Sequence, residues 1–227
     1  MKKFALVISL VACVAVGAQA ADVIVERAEG NRSIPEATGL DNTVELKWDT
    51  GFAHWFLVWI TASGIFVGND FDVSTVKTYG GLKTMRVALW DWPNTGWEGG
   101  RIAVFSYAGG VPGSIMWPTN GTPKFVMPTG ATSGFKDFDV TYVLQGTKKF
   151  TAAWEQFYNY PNADSFGTDY NPTFSGHSWM YTGGSWSLFY SENIAPYRNV
   201  MIRMIVDNEQ NEAVSPSSIG RVKALYY

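Results

Sequence analysis

The chain has 227 residues and a formal charge of −3, with 17 basic against 20 acidic side chains, so it offers no basic stripe for a nucleic-acid backbone. One cysteine and two histidines leave little for thiol or zinc chemistry, and no segment beyond the N-terminal region runs for 18 apolar residues, which argues against a membrane-spanning helix. Aromatic residues reach 15% and include ten Trp, a load that fills a core or makes a surface adhesive.

The first twenty residues read as a secretory leader. Lys2 and Lys3 form a positive start, Phe4 to Val16 an apolar run too short for a comfortable span, and Ala18-Gln19-Ala20 a small-residue cleavage box. Cleavage before Ala21 removes two lysines, takes the charge from −3 to −5, and discards Cys13. A competing reading is lipidation at Cys13, after Leu10-Val11-Ala12, but the apolar run continues past it. A mature exported chain without cysteine has no disulfide support and depends on a packed core. About 200 residues is enough for one such core.

From Ala21 to Ala28 the alternation of Val23 and Val25 against Ile24 predicts a short strand, and Gly30 to Thr43 is rich in turn residues. Residues 21–43 are thus an expected arm and linker ahead of a sandwich domain over 44–207. In Leu82 to Trp90, Met85, Val87 and Leu89 alternate against Thr84, Arg86 and Ala88; in Phe135 to Tyr142, Phe138, Val140 and Tyr142 alternate against Asp137, Asp139 and Thr141. Such strands have one wet and one dry face. Ala53 to Ile60, Arg101 to Tyr107, Phe150 to Tyr158 and Val200 to Val206 are apolar on both faces and belong mid-sheet with cover on each side. The expectation is an all-β, two-sheet antiparallel β-sandwich, jelly-roll-like, of about ten strands. Residues 208–227 read as a polar linker and a last strand containing Val222, Ala224 and Tyr226.

Three segments between strands are rich in Gly, Pro, Asn and Trp: Asp91 to Gly100, Gly109 to Gly121 and Asn159 to Ser178. Loops on a rigid scaffold are where recognition resides. Trp92, Trp97 and Trp117 with Tyr158, Tyr160 and Tyr170 are the candidate sugar-stacking rings, and Asp91, Asn94 and Asn162 their polar partners. Trp55, Trp59, Trp90 and Trp154 lie in strand patterns and read as core.

Catalytic signals are sparse. His54 sits in an apolar strand and His177 in a Gly-Ser turn, and neither accompanies a G-x-S-x-G elbow or H-E-x-x-H. Glycoside cleavage needs two carboxylates; Glu155 stands out beside Trp154 and Phe157, and Asp91, Glu98 or Asp169 would need the fold to reach it. Asp70-Phe71-Asp72 and Asp137-Phe138-Asp139 offer oxygens for calcium without the spacing of a calcium loop. The expectation is no enzyme and no cofactor, with calcium the one candidate ion.

The order of several motifs resembles a β-sandwich accessory domain of bacterial secreted and surface proteins. They are Ala88-Leu89-Trp90-Asp91, Ile102-Ala103-Val104-Phe105, Gly110-Val111-Pro112-Gly113, Gly176-His177-Ser178-Trp179-Met180-Tyr181 leading to Gly183-Gly184-Ser185-Trp186, and Asn199 to Val206. The likeness spans roughly Gly51 to Asp207 and rests on turns and core aromatics. It implies a non-catalytic unit of the kind appended to proteases and other exported proteins; one without an attached catalytic domain works by binding or assembling.

The first expected function is therefore a secreted structural or adhesive protein, self-associating by strand exchange through Val23, Ile24 and Val25 or through Val222, Ala224 and Tyr226. The alternative is a carbohydrate-binding module that takes polysaccharide on the loop aromatics. A small outer-membrane β-barrel is a third reading, set against the Pro-bearing irregular segments between strands.

Overall fold

The computed structural model describes residues 23–33, 42–61, 64–91, 96–169, 175–189 and 199–208, and along 23–33 the backbone alone. In chain order the strands are β1 (Val23–Ser33), β2 (Thr43–Leu46), β3 (Phe52–Trp59), β4 (Phe66–Asp72) and β5 (Tyr79–Trp90). Next come β6 (Gly100–Ala108), β7 (Val111–Trp117), β8 (Lys124–Val126), β9 (Gly134–Tyr142) and β10 (Lys149–Gln156). The last are β11 (Ser165–Asp169), β12 (Ser178–Thr182), β13 (Ser185–Leu188), β14 (Asn199–Val200) and β15 (Ile202–Asn208). Short pieces such as β8, β13 and β14 carry the number past the ten or so that periodicity suggests. Among the described residues no helix is long and apolar enough to cross a membrane.

These strands form two antiparallel sheets, one of eight (β1, β2, β3, β5, β9, β11, β14, β15) and one of seven (β4, β6, β7, β8, β10, β12, β13). The sandwich expectation holds; the strands lie in two packed sheets, not in one sheet closed on itself as a barrel requires. Side-chain alternation sets which faces meet. Met85, Val87 and Leu89 of β5 and Phe138 and Val140 of β9 point into the main core, opposite Ile102 and Val104 of β6 and Phe150, Ala152 and Trp154 of β10. Trp154 stacks on Phe138 across the sheets at 5.8 Å. Each large apolar side chain removed from water here contributes about 1.5–3 kcal/mol. Gly100 has no side chain because Trp154 fills its place: a Cβ there would lie 2.3 Å from that indole.

Both outer faces carry a second apolar cluster, which explains the strands that are apolar on both sides. On the eight-stranded sheet Ala53, Phe56, Ala88 and Met201 gather with Trp90 and Phe135. Beside them a charge network runs from buried Arg203, which donates through Nε to both oxygens of Asp49 and through Nη1 to Glu45, out to Arg86, which bonds Glu45 and both oxygens of exposed Asp137. On the seven-stranded sheet Phe66, Ala103, Phe105 and Ala153 gather with Ile115, Tyr181 and Trp186. Trp186 of β13 lies 5.0 Å from Phe105 of β6, although β12, β4 and β10 separate those two strands within the sheet. Four strand spacings of about 4.8 Å would hold them some 19 Å apart in a flat sheet. The sheet therefore curls until the β12–β13 hairpin covers its own concave face.

The N-terminal strand β1 docks at the outside of β3, with Val23, Ile24 and Val25 opposite Trp59, Val58 and Leu57. In the chain as described, the expected arm is an edge strand of its own domain. Val222, Ala224 and Tyr226 lie outside the described residues, as does the leader.

Candidate functional site

Three polar constellations surround this scaffold. The first joins both histidines to buried aspartates. His177 Nδ1 lies 2.9 Å from Asp70 Oδ2, Trp179 Nε1 donates to Asp70 Oδ1 at 2.6 Å, and Trp48 stacks on the imidazole at 3.8 Å with 6° between the planes. His54 Nδ1 lies 3.0 Å from Asp169 Oδ1, and Thr50 Oγ1 donates to the other oxygen at 2.7 Å. No serine or cysteine nucleophile bonds the far nitrogen of His177 among the described residues. Of the two acidic runs considered for calcium, Asp70 is taken up by Trp179 and His177, and Asp72 caps the 3-10 turn Val73–Thr75 through the Ser74 amide. Asp137 is held by Arg86. Protein donors thus engage Asp70, Asp72 and Asp137 of these runs.

The second constellation is acidic and was not foreseen as a group. Asp91 after β5, Glu98 before β6 and Asp164 before β11 bring carboxylate oxygens within 4.8 Å of one another. These are the residues that could hold a divalent cation, since hard oxygen donors suit calcium or magnesium. Asp164 is 1% exposed and accepts from the Gly99 amide at 2.9 Å. Burial pushes its carboxyl up to about 7, with the neighbouring Glu98 adding to the rise. Asp91 and Glu98 thus approach each other and Asp164, not Glu155.

Glu155 belongs to the third constellation, at the same end of the molecule. It faces outward from β10, in register with Phe66 on one side and Arg101 on the other, and Arg101 in turn pairs with Phe125 of β8. Arg101 Nη2 donates to Glu155 Oε1 at 2.5 Å. Burial raises the Glu155 carboxyl, against the pull of Arg101. The Arg101 guanidinium also sits over the ring of Phe157 at 4.8 Å. Around it Phe125, Phe157 and Tyr158 meet edge to face, at 5.4 Å, 6.5 Å and 4.9 Å between centroids. All three rings are more than 40% exposed, and exposed Met127 adjoins Phe125 across Gly99. Contiguous apolar surface of this kind marks contact sites on otherwise polar exteriors.

Of the four loop aromatics that fall among the described residues, Trp97, Trp117, Tyr158 and Tyr160, only Tyr158 belongs to this platform. Trp97 is half-buried: its Nε1 donates to Gly130 O at 2.5 Å and Lys136 Nζ covers its ring at 4.3 Å. Trp117 is the last residue of β7, not a loop residue, and packs against the main core with Lys124 Nζ 5.5 Å from its ring. Tyr160 is half-buried and its amide donates to Trp59 O. Asn162 closes a turn onto Asn159. Trp92, Asn94 and Tyr170 lie outside the described residues. Phe157 was missed because Phe150 to Tyr158 read as a strand covered on both faces, and Phe125 and Met127 because they fell in a Pro-bearing segment that gave no strand pattern. Phe157 lies just past the end of β10, and Phe125 lies in the three-residue β8.

No protein-family model matches the chain, and no curated protein does. Solved structures share its fold, among them two of one surface protein. One holds the cysteine protease and lectin-like domains of Cwp84, a surface-layer-associated protein of Clostridium difficile, at 12% identity and a TM-score of 0.52 over 76% of this chain. The other is the clostridial cysteine protease Cwp84 after propeptide cleavage, again 12% identical, with a TM-score of 0.51. The likeness is one of fold. This chain spans 37% and 42% of those two.

Proposed function

We propose that this protein is a secreted, non-enzymatic adhesive module that works at a cell surface and takes polysaccharide on the platform of Phe125, Phe157 and Tyr158. The observation that carries the reading is the edge-to-face trio itself. Three large rings stay exposed on a rigid sandwich, beside an arginine whose position is fixed by a buried glutamate. Sugar rings present apolar C–H faces that stack on such surfaces, while a guanidinium donates to their hydroxyls. Support comes from the fold neighbour, which contains a lectin-like domain and is associated with a surface layer. The secretory leader read from Met1 to Ala20 agrees with an extracellular place of work.

The test is retention of the mature protein on insoluble cell-wall and plant polysaccharides. Phe157→Ala and Tyr158→Ala should each weaken retention at least tenfold with an unchanged melting temperature, about 1.4 kcal/mol in binding. Trp97→Ala should instead lower stability and leave binding intact. Equal retention of wild type and both platform variants sinks the reading.

Self-association is a second reading, favoured by β1. A terminal segment that already pairs as an edge strand can pair in the same register with the β3 of another copy.

A further inference from the structure

A cleft of about 430 Å³ opens between the two sheets at the end opposite the aromatic platform. Val73, Val76, Tyr79 and Leu144 form its floor, and Lys77, Gly146, Thr147 and Lys148 its rim. Its size is within the range of sites that hold small ligands, about 300–1,000 Å³. Val73, Val76 and Leu144 are buried core residues, so the floor is rigid. Tyr79 is fixed as well, its hydroxyl accepting from the Leu144 amide at 3.2 Å.

The charges decide what this cleft prefers. Elsewhere, the lysines and arginines whose side chains are described have partners. Lys47, Lys83, Lys149, Arg86, Arg101 and Arg203 pair with carboxylates. Lys124 lies over Trp117, and Lys136 donates to Thr129 O. Lys77 and Lys148 have no carboxylate within ion-pair distance among the described residues, and both stand on this one rim. The nearest acid on the adjoining turn, Asp72, is engaged by the Ser74 amide and by Lys149 at 3.8 Å, and it feels the charge of Lys148 without an ion pair. Lys77, Lys148 and Lys149 against the single carboxylate of Asp72 leave this rim with excess positive charge, and over an apolar floor that favours an anion that carries an apolar face.

We propose that the cleft is a second ligand site, for an acidic sugar unit whose anionic group lies between Lys77 and Lys148 and whose ring lies over Val73, Val76 and Leu144. The inference rests on the glycan reading for the ring alone; the anion preference comes from the lysines.

The experiment is titration of the isotope-labelled mature protein with an oligogalacturonate, with a neutral maltooligosaccharide of equal length, and with inorganic phosphate, followed at individual backbone amides. The oligogalacturonate should shift the Gly146, Thr147 and Lys148 amides, and its affinity should fall with added salt. Lys77→Gln with Lys148→Gln should weaken it about tenfold, while Tyr158→Ala leaves these shifts unchanged. Equal shifts from the neutral oligosaccharide, saturation by phosphate at the same concentration, no cleft shifts with any probe, or an unaltered affinity in the double variant would each overturn the proposal. Shifts confined to Phe157 and Tyr158 would remove the cleft and keep the platform. Shifts confined to the cleft would do the reverse.

Discussion

Asp164 shows how a single buried carboxylate couples this fold to pH. Its ordinary value is 3.8, and in the folded chain burial and Glu98 raise it to about 7. A carboxyl raised on folding favours the native state while protonated. That contribution is complete below the unfolded value and is lost as pH climbs through the folded one. Between pH 4 and pH 7 the melting temperature should therefore fall by more than the remaining carboxylates account for. Asp164→Asn keeps an oxygen for the Gly99 amide and cannot ionise, so its melting curve should lack that descending limb and lie above wild type at pH 8. A variant whose pH profile runs parallel to wild type would show that Asp164 does not titrate in this window.

At the scale of the elements, the curled seven-stranded sheet is the feature on which the outer surface depends. Trp186 closes the concave face by touching Phe66, Phe105 and Tyr181, all within 6.4 Å between centroids. Trp186→Ala should remove the lid from a cluster that includes buried Phe66 and Phe105. A loss of about 3 kcal/mol in chemical denaturation is expected, with new binding of a hydrophobic dye before global unfolding. An unchanged midpoint would mean that the hairpin adds nothing to the stability of the sheet. The sequence announced part of this arrangement. Met85, Val87 and Leu89, like Phe138 and Val140, alternate cleanly because a half-wet strand repeats every second residue. The strands read at Arg101 to Tyr107 and Phe150 to Tyr158 announced cover on both sides, although the second ends at Gln156. What covers them was hidden, because it comes from pairing between Ser178–Thr182 and Phe66–Asn69, more than a hundred residues apart. The site was harder to read for the same reason. A Gly- and Pro-rich neighbourhood made Trp97 and Trp117 look free, yet the carbonyl that holds Trp97 lies 33 residues away at Gly130. Phe125 and Phe157 meet only because β8 and β10 both pair with β6.

For the molecule as a whole, the question is whether β1 serves its own sheet or a neighbour's. Its ladder runs from Val23 to Arg27 against Trp59 to Trp55, shifts register before Arg32, and ends at Ser33 opposite Phe52. Main-chain hydrogen bonds supply the ladder, so the β1 of a second copy offers β3 the same donors and acceptors. Such exchange uses one surface as donor and a different one as acceptor; a head-to-tail contact of that type extends into a filament unless its rotation closes a ring. The mature chain, concentrated and imaged by negative stain, should then show chains of particles. A chain beginning at Thr43 should keep the cooperative unfolding of the sandwich, since the described residues of the main core all lie beyond Thr43, and should sediment as a monomer. A peptide spanning residues 23–33 should bind that truncated chain and, added to the full chain, shorten its assemblies by capping free β3 edges. If the mature chain sediments as a monomer at high concentration and the peptide binds nothing, β1 belongs to its own domain and adhesion is left to the glycan surfaces.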